Sequence, residues 1–370
     1  MNSTERLLAV HRGELPDRVP VSTYELVGWN PESFENRHRS YRRLMDFVRD
    51  RTDCMYMTGV PVPNVRADER GVTVDEWSDG DQHFRREVTH TPRGDLTRVT
   101  SRSDSVHTTW TREHPVKSLV DMRAYLDLPF ELGEPDFSRL ERAWERLDGR
   151  RGLPLVSIGD PVCELAEAFE FGEFTVQAIT HTEAIGGALD RLHERYREKL
   201  RRILTGPVQN AIFRICGPEY ATPPYLPPEL FRRFVTRYDA EYVRMIQTSG
   251  AFARVHSHGR IARVLDQIDE MGPDALDPLE PPPDGDIDIA GLKATVGDRL
   301  CLTGGIELKH LEADEPEFVE ELVRDTMAAG KPHGRFILMP TAAPINVPLA
   351  RRTETNYIRF IETALETGRY

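Results

Sequence analysis

Ala253-Arg254-Val255-His256-Ser257-His258-Gly259 is a short, mostly apolar run that ends in two histidines one residue apart and breaks at a glycine. The segment after it, Ile261–Met271, has helical patterning, so the stretch reads as a strand feeding a helix. Residues i and i+2 of a strand share a face, so His256 and His258 are expected to look the same way. Two neutral imidazoles side by side form a natural half-site for a borderline metal such as zinc. A pair of hydrogen-bonded histidines at a strand end is the alternative.

Working outward, the strand-then-helix alternation repeats. Leu155–Ile158 breaks at Gly159-Asp160-Pro161 before a helix, and Asn210–Cys216 ends in Gly217-Pro218-Glu219-Tyr220. Ala275–Leu279 closes at Glu280, Leu300–Thr303 precedes Gly304-Gly305-Ile306-Glu307, and Phe336–Met339 precedes a closing helix over Thr353–Thr367. Such βα alternation signals a parallel sheet. With two upstream strands, Val19–Tyr24 and Asp53–Thr58, the count reaches eight. The expected fold is therefore α/β, a (β/α)8 TIM barrel, whose typical length of about 250 residues leaves roughly a hundred for additions. The excess falls in 65–113. There Val72-Thr-Val74, Phe84–Val88, Leu96–Val99 and Val106–Trp110 alternate apolar with polar between Asp/Gly/Pro turns, as an antiparallel β-hairpin excursion inserted after the second strand. A helix near Leu119–Leu126 follows, and 1–370 reads as one barrel domain. A doubly wound open sheet is the competing fold, but no GxGxxG follows the first strand.

The 370 residues are 39% hydrophobic and 29% charged, with a net charge of −13. That acidity argues against nucleic acid or an anionic membrane as partner, and no stretch approaches the ~20 apolar residues of a membrane span. The start lacks the basic and apolar regions of a signal peptide. The four cysteines, Cys54, Cys163, Cys216 and Cys301, are dispersed without a CxxC, as in a reduced cytoplasmic protein. Nothing resembles a nucleophile elbow, a phosphate loop or a zinc ribbon.

In a (β/α)8 barrel the active site lies at the carboxyl ends of the strands. Here those ends carry Glu25, Asp160, Glu219, His256, His258, Glu280, Glu307 and Thr341. Glu219 and Tyr220 can place a catalytic carboxylate and phenol there, or form a turn. Glu25 is a candidate ligand or base. Asp160, before Pro161, can cap the next helix or bind substrate.

Several blocks are similar to the uroporphyrinogen decarboxylase superfamily, which includes cobalamin- and coenzyme-M-dependent methyltransferases. Ser3–Val21 resembles the family's entry segment, and Phe252–Gly259 resembles its His-x-Cys-Gly strand. Gly297–Ile306 resembles its Gly-Asp-x-x-x-x-x-Gly-Gly-Ile block, and Glu354–Tyr370 its final helix and terminal Tyr. The methyltransferase branch binds zinc through the His and Cys of His-x-Cys and a last-strand cysteine, with a strand-borne Glu in related enzymes. Carried over, His256 keeps the first position, His258 replaces the cysteine, and Glu280 falls where the carboxylate stands. No cysteine lies in Met339–Pro344. A harder His/His/Glu set suits an oxygen ligand better than a thiol.

The resemblance implies a metal-dependent methyltransferase-like enzyme that moves a methyl group between a small-molecule substrate and a corrinoid on a partner protein. This chain has no Asp-x-His-x-x-Gly motif of its own to hold cobalamin. It also implies a homodimer. Two other readings are a decarboxylase or lyase of a small carboxylated compound, and a non-catalytic barrel that binds a tetrapyrrole or metabolite. Uroporphyrinogen decarboxylation itself is disfavoured. Val21–Asn30 lacks the arginine that grips the macrocycle, and an acidic mouth repels it.

Overall fold

The computed structural model describes residues 1–370. The opening helix, Ser3–Arg12, is capped at Asn2 by a reciprocal pair with Glu5 and stops at Gly13 in the left-handed region. Eleven strands follow. β1 is Cys54–Thr58; β2 (Val72–Asp79), β3 (Gln82–Thr89), β4 (Leu96–Ser103) and β5 (Val106–Glu113) come next. Then come β6 (Gly152–Gly159), β7 (Ile212–Cys216), β8 (Phe252–His256), β9 (Ala275–Asp277), β10 (Cys301–Ile306) and β11 (Phe336–Pro340).

Seven of these form one parallel sheet in the order β1-β6-β7-β8-β9-β10-β11, with helices on its connections. The gap between β11 and β1 is spanned by Pro20–Ser22. Leu338 donates to the Pro20 carbonyl and accepts from the Ser22 N–H, while the Asp53 N–H donates to the Val21 carbonyl at 2.7 Å. The expected first strand, Val19–Tyr24, is thus reduced to a single bridge, Val21 to Leu338. The reason is local. Pro20 lacks an N–H, and the chain turns at Tyr24, which has φ 55°.

β2 to β5 form a separate four-stranded antiparallel sheet, paired in chain order. It lies at the position expected for the excursion and bridges to the rest of the chain at Val106–Asn346, while the segment leaving it is pinned by the Val116–Phe169 bridge. β2 is exposed along its whole length. Trp77 and Phe84 stack at 5.1 Å across the β2–β3 pair, and Arg85 with Glu76 and Arg86 with Asp75 keep that pairing in register.

A buried charge cluster fixes the join between the opening segment and β1. Asp53 is fully buried, and its carboxylate takes Arg6 at 2.7 Å, Arg18 at 2.7 Å and the Val21 N–H at 2.9 Å. Removing the carboxylate charge leaves Arg18 without an acid and Arg6 with Asp17 alone, and breaking a buried pair typically costs about 3–5 kcal/mol. Asp53→Asn is expected to lower stability by at least about 2 kcal/mol, read from the urea midpoint, because it loosens the segment that bridges β11 to β1.

Candidate functional site

Successive strand residues alternate between the helices and the lumen, and the inward positions change character along each strand. The lower lumen is apolar: Met55, Leu153, Leu155, Ile212, Ala275, Cys301 and Ile337 form one cluster that Leu7 and Val10 of the opening helix plug from below. Two residues further along the same faces stand Ser157, Arg214, Asp277 and Thr303. Phe252 gives way to Arg254 and then His256. Ser157, Arg214 and Arg254 are neighbours in register across β6, β7 and β8, as are Cys216, His256 and Asp277 across β7, β8 and β9. The switch from hydrocarbon to charge within single strands locates the site at their carboxyl ends.

Asp277 organises this layer. One oxygen meets Arg254 Nε at 2.8 Å and the other meets His256 Nδ1 at 3.1 Å, with Asp277 and the Arg254 side chain fully buried. Burial alone would raise the Asp277 carboxyl, but Arg254 and His256 outweigh it and hold it down at about 2. A permanent carboxylate on Nδ1 makes that nitrogen the N–H and leaves Nε2 with its lone pair.

His258 repeats the arrangement nearer solvent. Its Nδ1 lies 2.9 Å from Glu280 Oε1, and Glu280 Oε2 accepts from the Gly259 N–H at 2.7 Å. Burial pulls the imidazole pKa down, and the bond and charge of Glu280 more than reverse that, so His258 titrates above its ordinary value. The two histidine rings sit 4.8 Å apart, edge to face. Each therefore has Nδ1 on a carboxylate and Nε2 unengaged, the second-sphere pattern of metal-binding imidazoles. Glu280 here spends both oxygens on His258 and Gly259, and no three His, Cys, Asp or Glu side chains converge as a ligand set. The residues thus fit a two-imidazole half-site with Glu280 as the orienting partner of His258. Cys216 is beside His256, but burial raises its thiol to about 12. Cys301 lies in the apolar plug, likewise raised to about 12 by burial.

The remaining candidates separate. Glu25 follows Tyr24, whose ring stacks on His256 with centroids 6.3 Å apart. Glu219 Oε2 accepts from the Gly217 N–H at 3.0 Å. Tyr220 leans away from the histidines, its hydroxyl 3.3 Å from Glu167 and its ring edge-on to Phe171. Asp160 caps the helix Pro161–Ala168 through the Cys163 N–H at 2.7 Å. It is fully buried under Gly217, where a Cβ would fall 1.9 Å from its Oδ1. Its partner is Asp239, equally buried. Burial raises both carboxyls well above the ordinary range, mutual repulsion raises Asp160 further, and the pair retains a proton.

Arg214, Arg254, Asp277 and Asp239 do not emerge from reading strand ends alone. For Arg254 a signal existed: it stands two residues before His256 on the same face of an otherwise apolar strand. Arg214 holds the equivalent place before Cys216. Counting only the rim makes the mouth acidic; one layer down it holds two guanidiniums.

Residues 178–350 match the family model for uroporphyrinogen decarboxylase (URO-D). The match covers the later part of the barrel, somewhat less than half of the chain. A methyltransferase from Methanosarcina mazei superposes over 99% of this chain and 99% of its own, with TM-score 0.59 and 15% identity, a likeness of fold. D-Psicose 3-epimerase from Clostridium cellulolyticum H10, solved with D-tagatose, aligns over 62% of this chain and 82% of its own at TM-score 0.35 and 12% identity. No curated protein sequence matches this chain.

Two outcomes follow from the carboxylates. In Glu280→Gln burial is opposed only by the charges of Glu219 and Asp277, so the titration of His258 by NMR is expected to fall from its raised position. The Asp160–Asp239 pair binds a proton that the unfolded chain releases near the ordinary 3.8. Its contribution to stability is therefore full below that pH and is lost as pH rises through the raised folded values. Asp239→Asn supplies a permanent donor to Asp160, and should raise the melting temperature at pH 8 by roughly 2 °C or more while leaving it nearly unchanged at pH 4.

Proposed function

We propose that the chain is a methyltransferase-like enzyme acting on a small substrate at the lumen mouth above Arg254 and Asp277. The observation that carries this reading is the pair of imidazoles 4.8 Å apart, each held by a carboxylate on Nδ1. A divalent metal such as zinc would be held by Nε2 of His256 and His258, and it would polarise an oxygen or sulfur of the substrate. Asp277 and Glu280 keep both rings in the tautomer that presents Nε2. Tyr24, its phenol raised to about 12 by burial, remains a neutral hydroxyl and forms the wall beside His256. Glu25 and Glu219, on the rim, are the groups placed to hold or move a proton at the substrate. Asp160 acts from behind the site, through the Gly217 loop.

The methyl group would pass between the substrate and a corrinoid carried by a separate protein docked on the mouth. The match of residues 178–350 to the uroporphyrinogen decarboxylase family model and the fold likeness to a methyltransferase support this class of reaction. The four free cysteines suit a cytoplasmic location, and no helix is long and apolar enough to cross a membrane. Homodimerisation belongs to the same reading. A lyase or decarboxylase of a small carboxylated compound is the second reading, favoured by the guanidiniums of the lumen.

Zinc uptake and methyl exchange test the proposal together. Tag-free protein is expected to bind about one equivalent of zinc per chain, with His258→Ala abolishing uptake. Glu280→Gln, which alters only a partner of the ring, should weaken binding by about 10–100-fold. A methylated corrinoid protein should exchange its methyl group with the wild type and not with His256→Ala. Zinc uptake without exchange with any corrinoid partner would move the assignment to the lyase; no zinc uptake would leave a non-catalytic binding barrel.

A further inference from the structure

Arg214 is a buried cation without a counter-ion. It is 8% exposed. Its Nη1 donates to the Tyr24 hydroxyl at 2.7 Å, its Nη2 lies 3.8 Å from the Met57 sulfur, and its Nε has no partner. Its neighbour Arg254 takes the one lumen carboxylate, Asp277, which His256 already shares, and Arg254 Nη2 is also unpartnered. Two guanidiniums against one carboxylate leave a surplus of one positive charge. No rim acid forms an ion pair with it: Glu280 is engaged by His258 and Gly259, Glu219 by the Gly217 N–H, and Glu307 by Lys309 at 2.8 Å. Glu25 interacts with Arg214 only at longer range, without an ion pair.

An isolated buried charge costs several kcal/mol, and an apolar side chain of similar volume would avoid that cost. The cost is offset when an anion arrives. Next to Arg214 in register stands Ser157, whose Oγ is buried and equally without a partner. A guanidinium edge and a hydroxyl on one side of the lumen match the two oxygens of a carboxylate.

We infer that the lumen binds the carboxylate of a small monoanionic substrate, received by Arg214 and Ser157 below the two histidines. The inference rests on the reading of this mouth as the substrate site. It deepens that reading by assigning the substrate's anchoring group. One surplus charge selects a monoanion. A phosphate, carrying about −1.5 to −2, would leave uncancelled negative charge beside Asp277. Anchored there, the uncharged end of the substrate points up the lumen toward His256.

The test is a thermal-shift and calorimetric series on the full chain at constant ionic strength, with acetate, propionate and glycolate as probes. Propionamide is the uncharged control and inorganic phosphate the dianionic one. The carboxylates should raise the melting temperature saturably, and the two controls should not. R214Q should weaken carboxylate binding by at least about 10-fold, with R214K intermediate because it keeps the charge and loses the fork. No saturable response to any carboxylate, a response to phosphate alone, or an unchanged response in R214Q would overturn the inference. If R214Q does not fold, the contrast between propionate and propionamide on the wild type decides it. Carboxylate binding without methyl exchange removes the methyltransferase reading and leaves the anion site standing. Methyl exchange that R214Q leaves unaltered removes the anion site and leaves the methyltransferase reading.

Discussion

The carboxylate of Asp277 is the constraint on which the site depends. From β9 it meets Arg254 with one oxygen and His256 with the other, both on the neighbouring strand β8, in a place where neither charge can be hydrated. Such a buried pair is a poor source of net stability compared with well-packed hydrocarbon. What it supplies is orientation. With Arg254 holding one oxygen, the other is fixed against Nδ1 of His256, so the imidazole can present only Nε2 upward. Remove the arginine and the carboxylate loses its charge partner; remove the carboxylate and the ring loses both its tautomer and its angle.

The same device recurs at two other places. Glu280 divides its oxygens between His258 and the Gly259 backbone and sets the second imidazole at right angles to the first. Asp53 divides its oxygens among Arg6, Arg18 and the Val21 N–H, tying the opening segment to β1 where no extended strand does so. Asp160 and Asp239 are the exception. Two carboxyls without a cation are stable only by keeping a proton between them, so they form a proton-sharing pair behind Gly217. An acidic chain thus keeps its excess negative charge at the surface and encloses a lumen with a net positive charge.

The parallel strands were legible because each is a short apolar run bounded by a turn and followed by helical periodicity; Leu119–Leu126 and the four excursion strands were legible for similar reasons. Val19–Tyr24 was not, since Pro20 and the backward turn at Tyr24 leave a single bridge where apolar character suggests a strand. The helix that starts at Pro228 widens into a π-helical turn over Arg232–Thr236, a feature of backbone bonding that side-chain periodicity does not encode. At the site, His256 and His258 were visible as an i, i+2 pair. Glu280 was visible as a strand-end acid, but its partner depended on which donor the loop brought within 3 Å. Tyr220 stood on the correct rim and turned toward Glu167.

By itself the sequence determined the order of strands and helices, the place of the excursion and the face on which the two histidines lie. Those properties follow from periodicity and turn chemistry, which act over a few residues. Only the tertiary structure decided that Asp277 belongs to Arg254 and His256, that Asp160 meets Asp239, and that Arg214 is left without an acid. These pairings join residues tens of positions apart. They depend on the register of neighbouring parallel strands, where a shift of one residue turns each inward side chain outward. Charge balance inside the lumen is a sum over those registers, and no single segment contains it.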